Sequence, residues 1–316
     1  MKRFFAALLL LGTGFVSAQD GAKTSPLGVA PGPTNATVTE KLYPVTRSDV
    51  YCSGFMTKQP VSKTNFVAGG LNTPYETRFA DGDYIFLKGT STQPGELVSV
   101  IREVRNPDDF EMYPGTKVLL KEAGQPYFDI GYARVVELRG ESTVARVEFV
   151  CQPILPGDIV LPFVERPMIT ARPTSTMDRF PADKPTLQGR VAMTQHFDQL
   201  ASAGSKLYID IGLEKGVKCG DYFRVTRTYS PKANDKADTE AFSDVVVEDT
   251  QKTSPRVPKS ERARVLPRKL LGEIIILNVT PTSATGMVTF GLEEIHVGDM
   301  VELEPPQEAS SGTGSN

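Results

Sequence analysis

Tryptophan is absent from this 316-residue chain, histidine occurs only twice and cysteine three times. That leaves little imidazole or thiolate for a metal centre. Neither His196 nor His296 has a Cys or Glu at ligand spacing, so no metal and no cofactor is expected. No apolar run reaches the ~20 residues of a membrane-spanning helix, so no transmembrane segment is expected. Basic charge is not in excess either: 35 Lys and Arg stand against 38 Asp and Glu. An acidic total gives no reason to expect nucleic acid as a partner. A glycine-rich phosphate loop is missing. Ser53 and Ser205 lack the strand–turn–helix setting and partner His of a hydrolase nucleophile.

The ends of the chain are informative. Lys2 and Arg3 precede an uncharged apolar stretch from Phe4 to Leu11, and Val16-Ser17-Ala18 supplies small residues at a cleavage position. Residues 1–18 therefore read as a secretory signal peptide. Removing Lys2 and Arg3 leaves 33 basic against 38 acidic residues, a net charge near −5. Export across the inner membrane to the periplasm or envelope follows as an expectation. Residues 19–49, rich in Gly, Pro, Ser and Thr, read as a flexible leader, and 305–316 as a disordered tail. In an oxidising compartment Cys52 and Cys151 can pair, leaving Cys219 alone. The alternative is three small buried hydrophobes.

Between the ends the pattern is β. Residues 97–104 are β-branched and partly alternating, and 145–149 and 206–211 alternate more cleanly, presenting one face to a core and one to water. Helical periodicity is scarce; the best short candidate covers 195–203.

The strongest signal is repetition. Residues 131–160 align without a gap on 272–301, at a constant offset of 141. Identities include Gly131/Gly272, Val147/Val288, Phe149/Phe290, Ile154/Ile295, Gly157/Gly298 and Asp158/Asp299. A second match sets Gly82-Asp83-Tyr84-Ile85-Phe86 against Gly220-Asp221-Tyr222-Phe223-Arg224. The sequence thus predicts an all-β protein of two tandem duplicated modules, barrel-like in shape, at 50–163 and 187–304. A Pro-rich linker, 164–186, joins them as a semi-stiff connector. The second module carries a charged insertion at 230–267, acidic first and basic after.

The run Gly204-Ser205-Lys206-Leu207-Tyr208-Ile209-Asp210-Ile211-Gly212, with Gly216-Val217-Lys218-Cys219-Gly220-Asp221 and Leu271-Gly272-Glu273, resembles the C-terminal β region of flagellar assembly protein T. Tyr51-Cys52-Ser53-Gly54-Phe55, Gly82-Asp83-Tyr84, Gly131 and Pro156-Gly157-Asp158 make the first module similar to the β region that follows the LysM motif in some bacterial peptidoglycan-binding proteins. The resemblance implies a β fold and an envelope location. No LysM segment is present, so glycan binding is not carried over with it.

The acids of the Gly-Asp pairs, Asp83, Asp158, Asp221 and Asp299, are the most visible carboxylates. They recur at repeated glycines (Gly82, Gly157, Gly220, Gly298), where Asp bonds its neighbouring backbone, so a structural turn outweighs acid/base chemistry. Core packing likewise outweighs an aromatic ligand platform for Tyr84, Phe86, Tyr222 and Phe223. The expectation is a noncatalytic envelope protein acting in binding or assembly, its partner an envelope protein or a cell-wall polymer. Arg256, Lys259, Arg262, Arg264, Arg268 and Lys269 form its candidate partner-binding run. Cell-wall binding is the alternative, and an enzyme with an unrecognised site the third reading. The sequence leaves the oligomeric state open.

Overall fold

A computed structural model describes residues 37–89, 92–104, 114–182, 187–198, 200–228 and 267–304. Residues 1–18, read above as a signal peptide, residues 230–266 of the insertion and residues 305–316 lie outside them. Two closed six-stranded antiparallel β-barrels stand in tandem within one compact unit. The first is built from β3 (Phe66–Gly70), β4 (Tyr84–Lys88), β5 (Leu97–Glu103), β6 (Gln125–Arg139), β7 (Ser142–Val150) and β8 (Ile159–Pro162). Around the ring they run β3-β4-β7-β6-β5-β8, a Greek-key wiring, and the short β2 (Phe55–Thr57) hangs on the side of β6. The second barrel comprises β10 (Gln188–Thr194), β11 (Lys206–Ile209), β12 (Tyr222–Arg227), β13 (Lys269–Val279), β14 (Ala284–Gly291) and β15 (Met300–Leu303). Its ring order, β10-β11-β14-β13-β12-β15, repeats the first strand for strand. Alternation fills each interior: Ile85, Leu87, Val135, Ala145 and Val147 in one, Leu207, Ile209, Ile276 and Val288 in the other.

Equivalent residues make equivalent backbone bonds. Val147 bonds the backbone of Gly82 and Asp83, and Val288 bonds that of Gly204 and Ser205. Val135 likewise bonds Gly95 and Glu96, as Ile276 bonds Gly220 and Asp221. These ladders correct the second sequence match. Gly82-Asp83 is the counterpart of Gly204-Ser205, while Gly220-Asp221 answers to Gly95-Glu96. The false match arose because every one of these turns feeds a barrel strand, so Gly plus a side-chain acceptor recurs at inequivalent corners. The offset of 141 over β6–β8 does hold. Even the register shifts repeat, between Val135 and Glu137 in β6 and between Ile276 and Asn278 in β13. Such bulges bend a strand enough to close a small barrel. Gly131 and Gly272 have one cause: a Cβ there would lie 2.2 Å from the Phe149 carbonyl oxygen or 2.5 Å from that of Phe290.

Three expectations change. The leader is ordered at its described end, where β1 (Thr37–Lys41) pairs with β9 (Thr174–Asp178) and α1 (Arg47–Tyr51) follows a Thr46/Asp49 capping box. The linker is no free connector: β9 lies within it, and Leu42 and Met177 bury against Leu270 and Phe290 of the second barrel. Polar strands such as β1 carry little apolar signal, which hid them. The described residues among 195–203 form no helix: a turn at 195–196 is followed by Phe197 at φ +60°, Thr194 Oγ1 donates to the Asp198 carbonyl, and Ala201 bridges to Ile295. The longest helix among the described residues, α2 (Pro114–Ala123), lies between β5 and β6, the position that the insertion takes between β12 and β13. Among the described residues no helix is long and apolar enough to cross a membrane.

Candidate interaction surfaces

The acids singled out in the sequence are engaged in turns. Asp83 accepts the Ala80 N–H at 2.7 Å and Asp221 the Lys218 N–H at 2.8 Å. Asp158 and Asp299 accept the N–H of Leu155 and His296, each at 2.7 Å. These last two are also gripped by an arginine from the neighbouring strand. Arg102 donates Nε and Nη2 to Asp158 at 2.7 and 2.8 Å, and Arg227 donates the same two nitrogens to Asp299 at 2.7 Å each. The spare valence of each arginine reaches the equivalent carbonyl, Pro153 or Glu294. A bidentate partner offsets the cost of taking a carboxylate out of water. Burial nevertheless pushes the Asp299 carboxyl above its ordinary pKa, against the pull of Arg227. Sequence reasoning missed both arginines, although Val100-Ile101-Arg102 and Val225-Thr226-Arg227 share a Val-x-Arg spacing.

The joint between the barrels is made by residues 49–56 and by α2, whose Leu119 and Ala123 share a buried cluster with Ala192 and Met193 of β10. Lys206 pairs with Asp49 at 3.2 Å, and Gln195 donates to the Cys52 carbonyl at 2.9 Å. Asn278 and Thr285 both donate to the Gly54 carbonyl at 3.0 Å; Thr280 and Ser283 donate to that of Met56 at 2.8 and 2.9 Å. Tyr208, fully buried, points its hydroxyl at the Ser53 carbonyl, and burial pushes its pKa far up. Gly54 sits at φ +67°, and a Cβ on it would meet the Tyr208 hydroxyl at 2.4 Å. Cys52 is bonded to Cys151, so this segment is tied to the first barrel as well. His196 meets the Phe128 ring edge-on at 5.4 Å. Beside the joint lies a cleft of about 350 Å³ lined by Tyr51, Phe55, Tyr132, Phe163 and Arg166, with Cys219 at its rim. Arg166 is not available there: it grips Asp129 at 2.7 and 2.8 Å and donates to Ser53 Oγ at 3.0 Å.

The outer face of the second barrel is covered by the linker. Glu273, Arg224 and Glu302 stand directly across three adjacent strands. Arg172 from the linker pairs with Glu273 and Glu304 and lies 4.0 Å above the Tyr222 ring. Arg268 pairs with the buried Glu302, and Lys269 with Glu293. Two of the six candidate partner-binding residues are thus held by carboxylates of their own chain. Arg256, Lys259, Arg262 and Arg264 lie outside the described residues. Of the four aromatic candidates, Phe223 is in the core, Tyr222 lies under Arg172, and Tyr84 and Phe86 sit outside the first barrel.

Comparing equivalent positions isolates a surface that composition alone hides. Lys206, Tyr208, Asn278, Val279 and Thr280 all lie on or beside the joint. Their counterparts on the first barrel are Tyr84, Phe86, Glu137, Leu138 and Arg139, by the ladders β4–β7–β6 and β11–β14–β13. Leu277 is 1% exposed whereas Val136, in its place, is 46% exposed; Leu138 is 48% exposed and Tyr84 38%. The β3–β4 turn beside this face presents Leu71 at 64% and Tyr75 at 97%. That turn is firmly built. Thr73 Oγ1 accepts the Gly70 N–H at 2.8 Å and Asn72 donates to Glu76 at 3.0 Å. No protein-family model and no curated protein matches the sequence.

Proposed function

We propose that this chain is a noncatalytic binding and assembly protein of the bacterial envelope, and that the bare outer face of its first barrel is its contact surface. The observation that carries the reading is the contrast between equivalent faces: one is sealed in the joint, the other leaves Tyr84, Val136 and Leu138 in water beside Leu71 and Tyr75. Burying a large apolar side chain stabilises by about 1.5–3 kcal/mol, so a cluster left bare on a rigid frame fits a site where a partner excludes water. The reading of residues 1–18 as an export signal and the Cys52–Cys151 bond support an envelope location. The turn acids support a binding role over a catalytic one, because each is already hydrogen-bonded to its own turn.

The test is photo-crosslinking in cells from a probe placed at Leu138, with the exposed Lys215 as control. Protein adducts at Leu138 and not at Lys215 are expected. Absence of protein adducts at Leu138, with co-sedimentation on purified peptidoglycan unchanged by Leu138→Ser, would overturn the assignment of this face.

A further inference from the structure

We infer that the partner of the bare face is the second barrel of another copy of this chain, docked so as to continue the tandem repeat head to tail. The inference rests on the binding reading above and names its partner. Within one chain the second barrel already shows how two such barrels fit together. Its β11, β14 and β13–β14 hairpin receive residues 49–56, while its β10–β11 turn sets His196 against Phe128 at the start of β6. The first barrel has the same strands in the same ladder, and among the described residues its copy of that face is left exposed. Tyr84 stands where Lys206 does and Leu138 where Val279 does. The β3–β4 turn carrying Tyr75 stands where the β10–β11 turn carrying His196 does.

At the complementary end of the second barrel, linker residues 179–182 lie against Arg268 and Leu270 and leave Phe180 54% exposed. Phe128, which His196 meets, has Lys269 as its equivalent at the offset of 141. Lys269 is surface-accessible, with a side chain 41% exposed in its pair with Glu293. An exposed ring such as Tyr75 brought to a lysine of this kind is attracted to it. Unlike surfaces are joined, one from each end of the chain, so the contact is heterologous: it does not consume both ends in a dimer, and copies add in a line. The difference in chemistry agrees with this. The sealed joint adds hydroxyl and amide bonds on backbone carbonyls to a buried apolar cluster, a fixed intramolecular contact, whereas the bare face sets Tyr84, Val136 and Leu138 beside the exposed Glu137–Arg139 pair, a surface suited to a weaker, reversible contact.

The experiment uses the full exported chain, disulfide intact. Sedimentation velocity across roughly 1–100 µM, the range of weak association, should give a weight-average coefficient that rises past the dimer value without a plateau. Leu138→Glu and Tyr84→Glu, at exposed positions, should weaken association at least tenfold while the melting temperature stays that of the parent; Lys215→Glu should change neither. Mixing isotopically heavy and light protein and crosslinking from a probe at Leu138 should give mixed heavy–light peptides joining barrel one to barrel two. A plateau at dimer, mixed peptides joining two first barrels, or crosslinks only within one copy to residues 19–36 would each overturn the inference. So would a monomer at every concentration. A monomer that still yields adducts to a different protein in cells would leave the binding reading standing and remove only the self-assembly.

Discussion

Replacing Arg227 by Met isolates the grip on Asp299. The Asp299 side chain is fully buried and that of Arg227 is 8% exposed, so the variant leaves a carboxylate in the barrel wall without its counter-charge. Breaking a buried pair from one side costs about 3–5 kcal/mol. The His296 N–H still bonds the carboxylate, which places the expected loss toward the lower figure, a fall of roughly 10 °C in melting temperature for a chain of this size. The equivalent Arg102→Met should cost less, because Arg102 is 28% exposed and water reaches the site. The pH dependence has a definite sign. The folded Asp299 carboxyl titrates above its ordinary value, so the folded state binds more protons in the window that opens above pH 3.8 and stability falls as pH rises through it. Removing Arg227 removes a group that lowers this pKa, so the window widens upward and the deficit of the variant shrinks on acidification. Adding Asp299→Asn, which cannot ionise and keeps an acceptor for His296, should recover part of the loss. Urea unfolding of the parent, both single variants and the double variant at several pH values is the assay. A double variant no more stable than Arg227→Met alone, or a deficit that grows toward low pH, would refute the reasoning.

Further outcomes are expected from other sites. The Cys52–Cys151 bond closes a loop with a separation of 99 residues, so Cys52→Ser with Cys151→Ser should cost about 2–5 kcal/mol in denaturant titration, and reductant should reproduce the loss in the parent. Gly131→Ala and Gly272→Ala should each lower the melting temperature by a similar amount, since both force a methyl group onto a backbone carbonyl beside an equivalent register shift, Tyr132/Ala133 or Glu273/Ile274. Gly54→Ala should loosen the joint, seen as faster hydrogen exchange at residues 49–56 and in β11, because the methyl group displaces the Tyr208 hydroxyl.

The barrel was legible where strands alternate. Residues 145–149 and 206–211 announce themselves by period two, and the offset of 141 carries both the glycines at the bulge and the Gly-Asp turn before β8 and β15. Less regular features were hidden for physical reasons. The polar β1 is held by its partner strand and by Leu42, not by its own composition. The arginines that grip Asp158 and Asp299 lie far from them in sequence, so only closure of the ring brings each pair together. The match of Gly82 with Gly220 failed because Gly-Asp marks a type of corner, not one particular corner. The bare face was invisible for a further reason. Val136 and Leu277 look alike as residues, and it takes the second barrel, its joint and the linker to bury one and leave the other in water.

Hydroxyl-radical footprinting tests the central claim most directly, comparing the protein in intact cells with the same protein purified and dilute. The account predicts that Tyr84, Leu138 and Tyr75 lose reactivity in cells while Leu213, exposed on the second barrel, keeps it. Equal labelling of all four residues in both settings would contradict it.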